Sequence, residues 1–86
     1  MRDRLVWTQA AWNDYLYWQD QDRKTLKRIN QLIRDASRSP FSGIGKPEAL
    51  RENLAGLWSR RIDDTHRLVY AVDGKDLTII SCRYHY

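Results

Sequence analysis

Leu57-Trp58-Ser59-Arg60-Arg61-Ile62, His66-Arg67-Leu68-Val69-Tyr70-Ala71-Val72 and Asp76 to about Tyr84 are three runs of strand-like alternation, separated by Asp63-Asp64 and Asp73-Gly74. Asp and Gly favour turns, so three short runs between such pairs read as consecutive antiparallel strands. Upstream, Arg4-Leu5-Val6-Trp7 reads as an opening strand, and Thr8 offers a hydroxyl that can cap a helix from Gln9 to about Asp20. Asp22 can cap a second helix, Arg23 to Arg38, with Leu26, Ile29, Leu32 and Ile33 at helical spacing and Lys24, Lys27, Arg28 and Arg34 mostly around the other face. The order β-α-α-β-β-β predicts an α+β domain: a twisted, largely antiparallel sheet with two helices on one face.

The connecting segments carry their own signals. Ser39 to Lys46, rich in Pro, Ser and Gly, breaks all periodicity and reads as a loop. Pro47 suits the first position of a helix, so Glu48 to about Asn53 is expected as a short helix or turn closed near Gly56, with Glu48 and Arg51 sharing a face. In the first helix, Trp12, Tyr15, Leu16 and Trp18 form an aromatic stripe. Core packing is its simpler reading; RNA stacking or a protein-binding role for part of it is the alternative.

The register of the last hairpin decides which face carries the polar residues. A two-residue Asp73-Gly74 turn would set Arg67 opposite Ile80 and away from His85, whereas a three-residue Asp73-Gly74-Lys75 loop sets Val72 opposite Asp76 and Arg67 opposite Ser81. The longer loop is preferred, because it gathers Arg67, Arg83 and His85 on one face. Leu68, Tyr70, Val72, Thr78, Ile80 and Cys82 are then left for the core. A bulge or a bend near Tyr84 would change the count.

The 86 residues allow one small domain, with no room for a doubly wound dinucleotide-binding fold. The composition, 42% hydrophobic with four Trp and five Tyr, is that of a folded chain. One cysteine, Cys82, excludes an internal disulfide and a Cys-based zinc site; it is expected as a buried small hydrophobe, and His66 as structural. No apolar run approaches the ~20 residues of a membrane span, and no signal peptide opens the chain, so a cytoplasmic protein is expected. A net charge of +4 favours polyanionic partners without choosing among them.

Four separated stretches carry a resemblance: Gly45-Lys46-Pro47-Glu48, Asn53 to Ile62, His66 to Val72, and Cys82-Arg83-Tyr84-His85-Tyr86. Together with Trp7, the Trp12 to Trp18 region and Ser39-Pro40-Phe41, they resemble the YoeB (Txe) branch of the RelE toxin superfamily along nearly the whole chain. The resemblance implies a RelE-like microbial ribonuclease fold. It implies a bacterial toxin that enters the ribosomal A site, against ribosomal RNA, and cuts bound messenger RNA with no metal or other cofactor. It also implies a YefM-like antitoxin as partner, operator DNA reached only through that antitoxin, a homodimer, and no membrane.

Carried over residue by residue, the resemblance implies Glu48 as general base, Arg67 as the cation that steadies the phosphate, His85 as candidate general acid and Tyr86 as the terminal aromatic. Lys46, Arg51, Arg61 and Arg83 become RNA phosphate contacts. Relatives often carry lysine at position 51; arginine keeps the charge but is no proton donor. The set suits metal-free RNA cleavage, which needs a base for the ribose 2′-OH, a cation for the phosphorane oxygens and an acid for the leaving 5′-oxygen. A terminal carboxylate one residue from His85 would favour its protonated form, while Glu48 starts too acidic for a good base and needs help from burial or a bound phosphate.

Each residue also has an ordinary reading: Glu48 as a surface carboxylate near a helix start, Arg67 as a strand arginine paired with Asp63 or Asp64, His85 and Tyr86 as a loose tail. Two other functions fit the same surface. One is a non-catalytic antitoxin-binding or co-repressor module, and the other is a ParE-like poison of DNA gyrase.

Overall fold

The computed structural model describes residues 3–84. The elements are β1 (Arg4–Trp7), α1 (Gln9–Gln21), α2 (Arg23–Arg38), β2 (Glu48–Ala49), β3 (Leu57–Arg61), β4 (Arg67–Asp73) and β5 (Asp76–Ser81), with a short 3-10 turn at Glu52–Leu54. They build one sheet in the order β1-β5-β4-β3-β2, antiparallel except for β1, which runs parallel to β5. The α+β expectation holds.

Two caps fix the helices. Thr8 Oγ1 accepts from the Ala11 amide while its hydroxyl donates to the Ile80 carbonyl at 2.9 Å, so the residue that starts α1 also ties it to β5. Asp22 alone separates α1 from α2. Its amide donates to the Trp18 carbonyl, its carboxylate accepts from the Lys24 and Thr25 amides and from the Thr25 hydroxyl, and these bonds hold its carboxyl below the ordinary carboxylate range.

The core joins Ala11 and Trp18 of α1 and Ile29, Leu32, Ile33 and Ala36 of α2 to Leu68, Tyr70, Leu77, Ile79 and Cys82 of the sheet layer. The aromatic stripe splits. Ala11, Tyr15 and Trp18 follow the inward line at i, i+4 and i+7, whereas Trp12 and Leu16 stand one position round and remain 43% and 39% exposed. Trp12 stacks on Tyr15 and meets Trp7 edge-on at the β1 margin.

Two expectations about the strands are corrected. The last hairpin turns on Gly74-Lys75 with Asp73 opposite Asp76, so Val72 faces Leu77 and not Asp76. Leu77 and Ile79 point inward and are buried, displacing Thr78 and Ile80 from the expected core; burying leucine in place of threonine is the physical gain. Tyr70 then faces Ile79 while Val69 faces Ser81, which leaves Ile80 as an extra, bulged residue. That one-residue insertion restores the parity, sending Cys82 inward and keeping Arg67 on the open face.

The second correction concerns Glu48. No helix follows Pro47. Lys46 adopts a left-handed φ of 53°, the chain leaves it extended, and Glu48 and Ala49 pair with Ser59 and Trp58 as an edge strand. Proline is tolerated just before an edge strand, where no ladder donor is required of it. The Leu50 amide continues the ladder to the Leu57 carbonyl. Because residues 48 to 51 are not helical, the face expected to be shared by Glu48 and Arg51 does not form.

Arg60, fully buried on the inward face of β3, organises the 39–46 loop. Its Nε donates to the Tyr70 hydroxyl, Nη1 to Asp35 Oδ2 and the Ile44 carbonyl, and Nη2 to the Ser39 and Ser42 carbonyls. All five guanidinium donors are thereby satisfied. The Tyr70 hydroxyl passes its own proton to the Pro40 carbonyl at 2.6 Å. Gly43 is required here, since a β-carbon would fall 2.0 Å from Asp35 Oδ2.

Replacing Arg60 by methionine takes the cation from Asp35, orphans three carbonyls and should cost about 3–5 kcal/mol in urea unfolding. Arg60 and the Ile44 amide hold the Asp35 carboxyl below its ordinary range. Its contribution is therefore complete above the unfolded carboxylate value of about 4 and disappears as pH falls through the lower, folded value. The stability gap between wild type and Asp35→Asn should accordingly narrow below about pH 4; a gap constant with pH contradicts the pairing.

Candidate functional site

Pairing and alternation place Glu48, Leu57, Ser59, Arg61, Arg67, Val69, Ala71, Thr78 and Ser81 on the sheet face turned away from the helices. Ser59 and Val69 form a buried floor, flanked by exposed Glu48 and Arg61 and half-buried Arg67. Glu48 sits across from Ser59, and Ser59 across from Val69; Arg61 and Arg67 face each other one two-residue step along. Two strand spacings and one such step separate the Glu48 and Arg67 Cα atoms by about 12 Å. Their side chains can lean toward a group lying between them.

The two arginines are a like-charge cross-strand pair, an arrangement that is unfavourable without an anion. Among the described residues no carboxylate forms an ion pair with Lys46, Arg51, Arg61, Arg67 or Arg83. Arg67 is oriented by the neighbouring turn: its Nη1 donates to the Asp63 and His66 carbonyls at 3.1 and 3.3 Å. The Asp63 carboxylate, one partner considered for Arg67, instead accepts the Thr65 and His66 amides and shapes that turn.

Residues 82–84 run alongside Arg67 and are held by α1 and β4. Asp14 accepts the Cys82 amide, and Trp18 Nε1 donates to the Cys82 carbonyl. The Tyr84 amide donates to His66 Nδ1 at 2.7 Å, and the Tyr84 carbonyl accepts the Arg67 amide at 2.8 Å. The Arg83 guanidinium carbon lies 3.5 Å from the Tyr17 ring centroid and 4.6 Å from that of Tyr84. The bend therefore carries Arg83 against α1, away from the simple alternation expected for it, and leaves the guanidinium edge as its available donor surface. Cys82 is fully buried; desolvation and the nearby Asp14 push its thiol up to about 12, as suits an inert core residue.

Glu48, Arg61 and Arg67 are thus brought together on one face. Lys46 and Arg51, both exposed, flank Glu48 in the chain, while His85 and Tyr86 lie outside the described residues. The non-glycine residues with left-handed backbone among those described, Lys46, Glu52 and Tyr84 at φ 53°, 58° and 62°, each adjoin a candidate stretch. Such conformations persist only where surrounding structure enforces them, and they concentrate at functional sites. The groove of about 720 Å³ along α2, lined by Lys27, Arg28, Arg34, Arg38 and Ile44 among others, belongs to the basic helix surface and not to this face.

Sequence reasoning assigned no role to Arg60 and a merely structural one to His66. For Arg60 a signal was present: its parity matches Trp58 and Ile62, an inward position at which an arginine must find partners. For His66 the decisive contact is to a backbone amide 18 residues away, which no local pattern announces.

A profile of the family described as "YoeB-like toxin of bacterial type II toxin-antitoxin system" matches residues 7–86. The chain is 57% identical over 83 residues to Toxin YoeB of Escherichia coli (strain K12), covering 96% of this chain and 99% of that protein. A solved YoeB/ParE toxin from Agrobacterium tumefaciens superposes with a TM-score of 0.92 at 50% identity, covering 96% of this chain and 99% of that one. A YoeB-YefM complex from Staphylococcus aureus gives 0.89 at 46% identity over 95% of each chain, and a YoeB dimer from the same organism 0.91 at 46% over all of both. Sequence and fold agree along essentially the full length, and the chain belongs to the YoeB-like toxins of bacterial type II toxin-antitoxin systems.

Proposed function

We propose that this toxin is an endoribonuclease that cuts messenger RNA in the ribosomal A site and so stops translation. The observation that carries the reading is the open face on which an exposed carboxylate, Glu48, stands near an arginine pair, Arg61 and Arg67, that lacks a carboxylate partner among the described residues. A scissile phosphate resting on the pair would relieve its repulsion and leave Glu48 free to take the ribose 2′-OH proton. The 2′-oxygen attacks phosphorus, Arg67 meets the charge growing on the phosphorane, and His85 protonates the departing 5′-oxygen, yielding a 2′,3′-cyclic phosphate and a 5′-hydroxyl. Tyr86 completes the catalytic set beside His85, and Lys46, Arg51, Arg61 and the edge of Arg83 contact flanking phosphates.

The partners follow from the relatives. A YefM-like antitoxin restrains the toxin and carries any operator DNA contact, and the free toxin forms a homodimer; the YoeB-YefM complex and the YoeB dimer of Staphylococcus aureus support the antitoxin pairing and the dimer. Exposed Trp12 and Leu16 are the proposed dimer seam. Action on the ribosome places the protein in the cytoplasm. No helix among the described residues is long and apolar enough to cross a membrane.

In a purified translation reaction, Glu48→Gln and Arg67→Ala should each slow messenger cleavage by about 10²- to 10⁴-fold while retaining the wild-type thermal midpoint. Unchanged cleavage by both removes the assignment. Inhibited plasmid supercoiling with intact transcripts would instead make the protein a gyrase poison.

Inorganic phosphate should raise the thermal midpoint of the wild type, by the equivalent of about 1.4 kcal/mol at ten times its dissociation constant. Arg67→Ala should abolish that increment, and an equal increment in both proteins would mean that the arginine pair is not an anion seat.

A further inference from the structure

His66 bonds to the chain at a point where geometry makes the bond informative. A main-chain N–H can only donate, so the 2.7 Å bond from the Tyr84 amide requires a lone pair on Nδ1 and the ring proton on Nε2. The ring meets Trp18 edge-on at 4.8 Å between centroids and lies 5.6 Å from the Tyr84 ring, so its orientation is set by packing as well as by the bond. Residue 84 is the one that needs holding. Its φ of 62° is one a tyrosine rarely adopts, and a free chain would leave that conformation. The His66 acceptor, just before β4, and the Arg67 amide, its first residue, grip the two backbone groups of Tyr84.

We infer that His66 is a positioning residue: its Nδ1 locks the left-handed turn at Tyr84, the residue just before His85 in the sequence, and it thereby sets the rate of RNA cleavage without touching the RNA. The second half of the inference rests on the proposed role of His85. The chemistry makes the choice of residue specific. Asparagine can present its Oδ1 where histidine presents Nδ1, glutamine carries its amide one bond too far, and leucine fills the space with no acceptor.

The test uses the full chain with His66→Leu, His66→Gln and His66→Asn, reading amide hydrogen exchange at Tyr84, thermal midpoint, and kcat and KM for messenger cleavage. His66→Leu and His66→Gln should lose protection at the Tyr84 amide and fall about 10²-fold in kcat with little change in KM, as expected when a reacting group is misplaced. His66→Asn should recover protection and most of kcat, even where its thermal midpoint matches that of the glutamine variant; a purely structural role would track the midpoint instead. Unchanged Tyr84 exchange in all three variants overturns the lock. Fast exchange with undiminished kcat shows that the turn does not serve cleavage and overturns the second half. Full cleavage by His85→Ala, with Tyr84 exchange still governed by His66, would count against the role given to His85 and leave the lock standing.

Discussion

A single buried guanidinium shapes the loop that delivers Glu48, the carboxylate proposed as general base, to the sheet. Arg60 is sealed from solvent and spends its five donors on Tyr70, Asp35 and the carbonyls of Ser39, Ser42 and Ile44. Such a charge is tolerable only with every donor matched, because a buried, incompletely paired cation is heavily penalised. The loop from Ser39 to Gly45 is therefore moulded to the arginine and has no independent shape. Its last carbonyl, that of Gly45, accepts the Arg61 amide at 2.7 Å, and from there Lys46 and Pro47 deliver Glu48 to the edge of β3.

The same sheet carries the other half of the site by a separate route. The Asp63 turn orients Arg67, and His66 together with the Arg67 amide at the start of β4 grips the turn at Tyr84. Glu48 and the 82–84 segment thus arrive from opposite sides, each fastened to a neighbouring strand, with Arg61 and Arg67 between them. In the proposed reaction the substrate phosphate supplies the anion that this like-charge arginine pair lacks among the described residues.

Much of this was legible in the residues. The strand runs around Asp63-Asp64 and Asp73-Gly74, the Thr8 and Asp22 caps and the helical spacing of Ile29, Leu32 and Ile33 all announce what forms, because each depends on neighbours in sequence. Ile80 was not legible as a bulge, since a one-residue insertion reflects competition between Leu77 and Thr78 for the core, decided across strands. Pro47-Glu48 looks like a helix start locally and becomes an edge strand because β3 offers it a ladder. Glu48, Arg61 and Arg67 emerged together through their motif stretches, and the sheet then explained why they share a face. Arg60 shows in its inward parity with Trp58 and Ile62, but its partners lie far along the chain, and the contact of His66 with the Tyr84 amide has no local signature at all.

In the proposed reaction the open face directs a ribose 2′-OH onto the adjacent 3′-phosphorus. Determining the chemical termini of messenger fragments cut by the purified toxin on ribosomes tests it most directly. Each downstream fragment should carry a 5′-hydroxyl and each upstream one a 2′,3′-cyclic or 3′-phosphate. A 5′-phosphate with a free 3′-hydroxyl would show that water is the nucleophile and would contradict it.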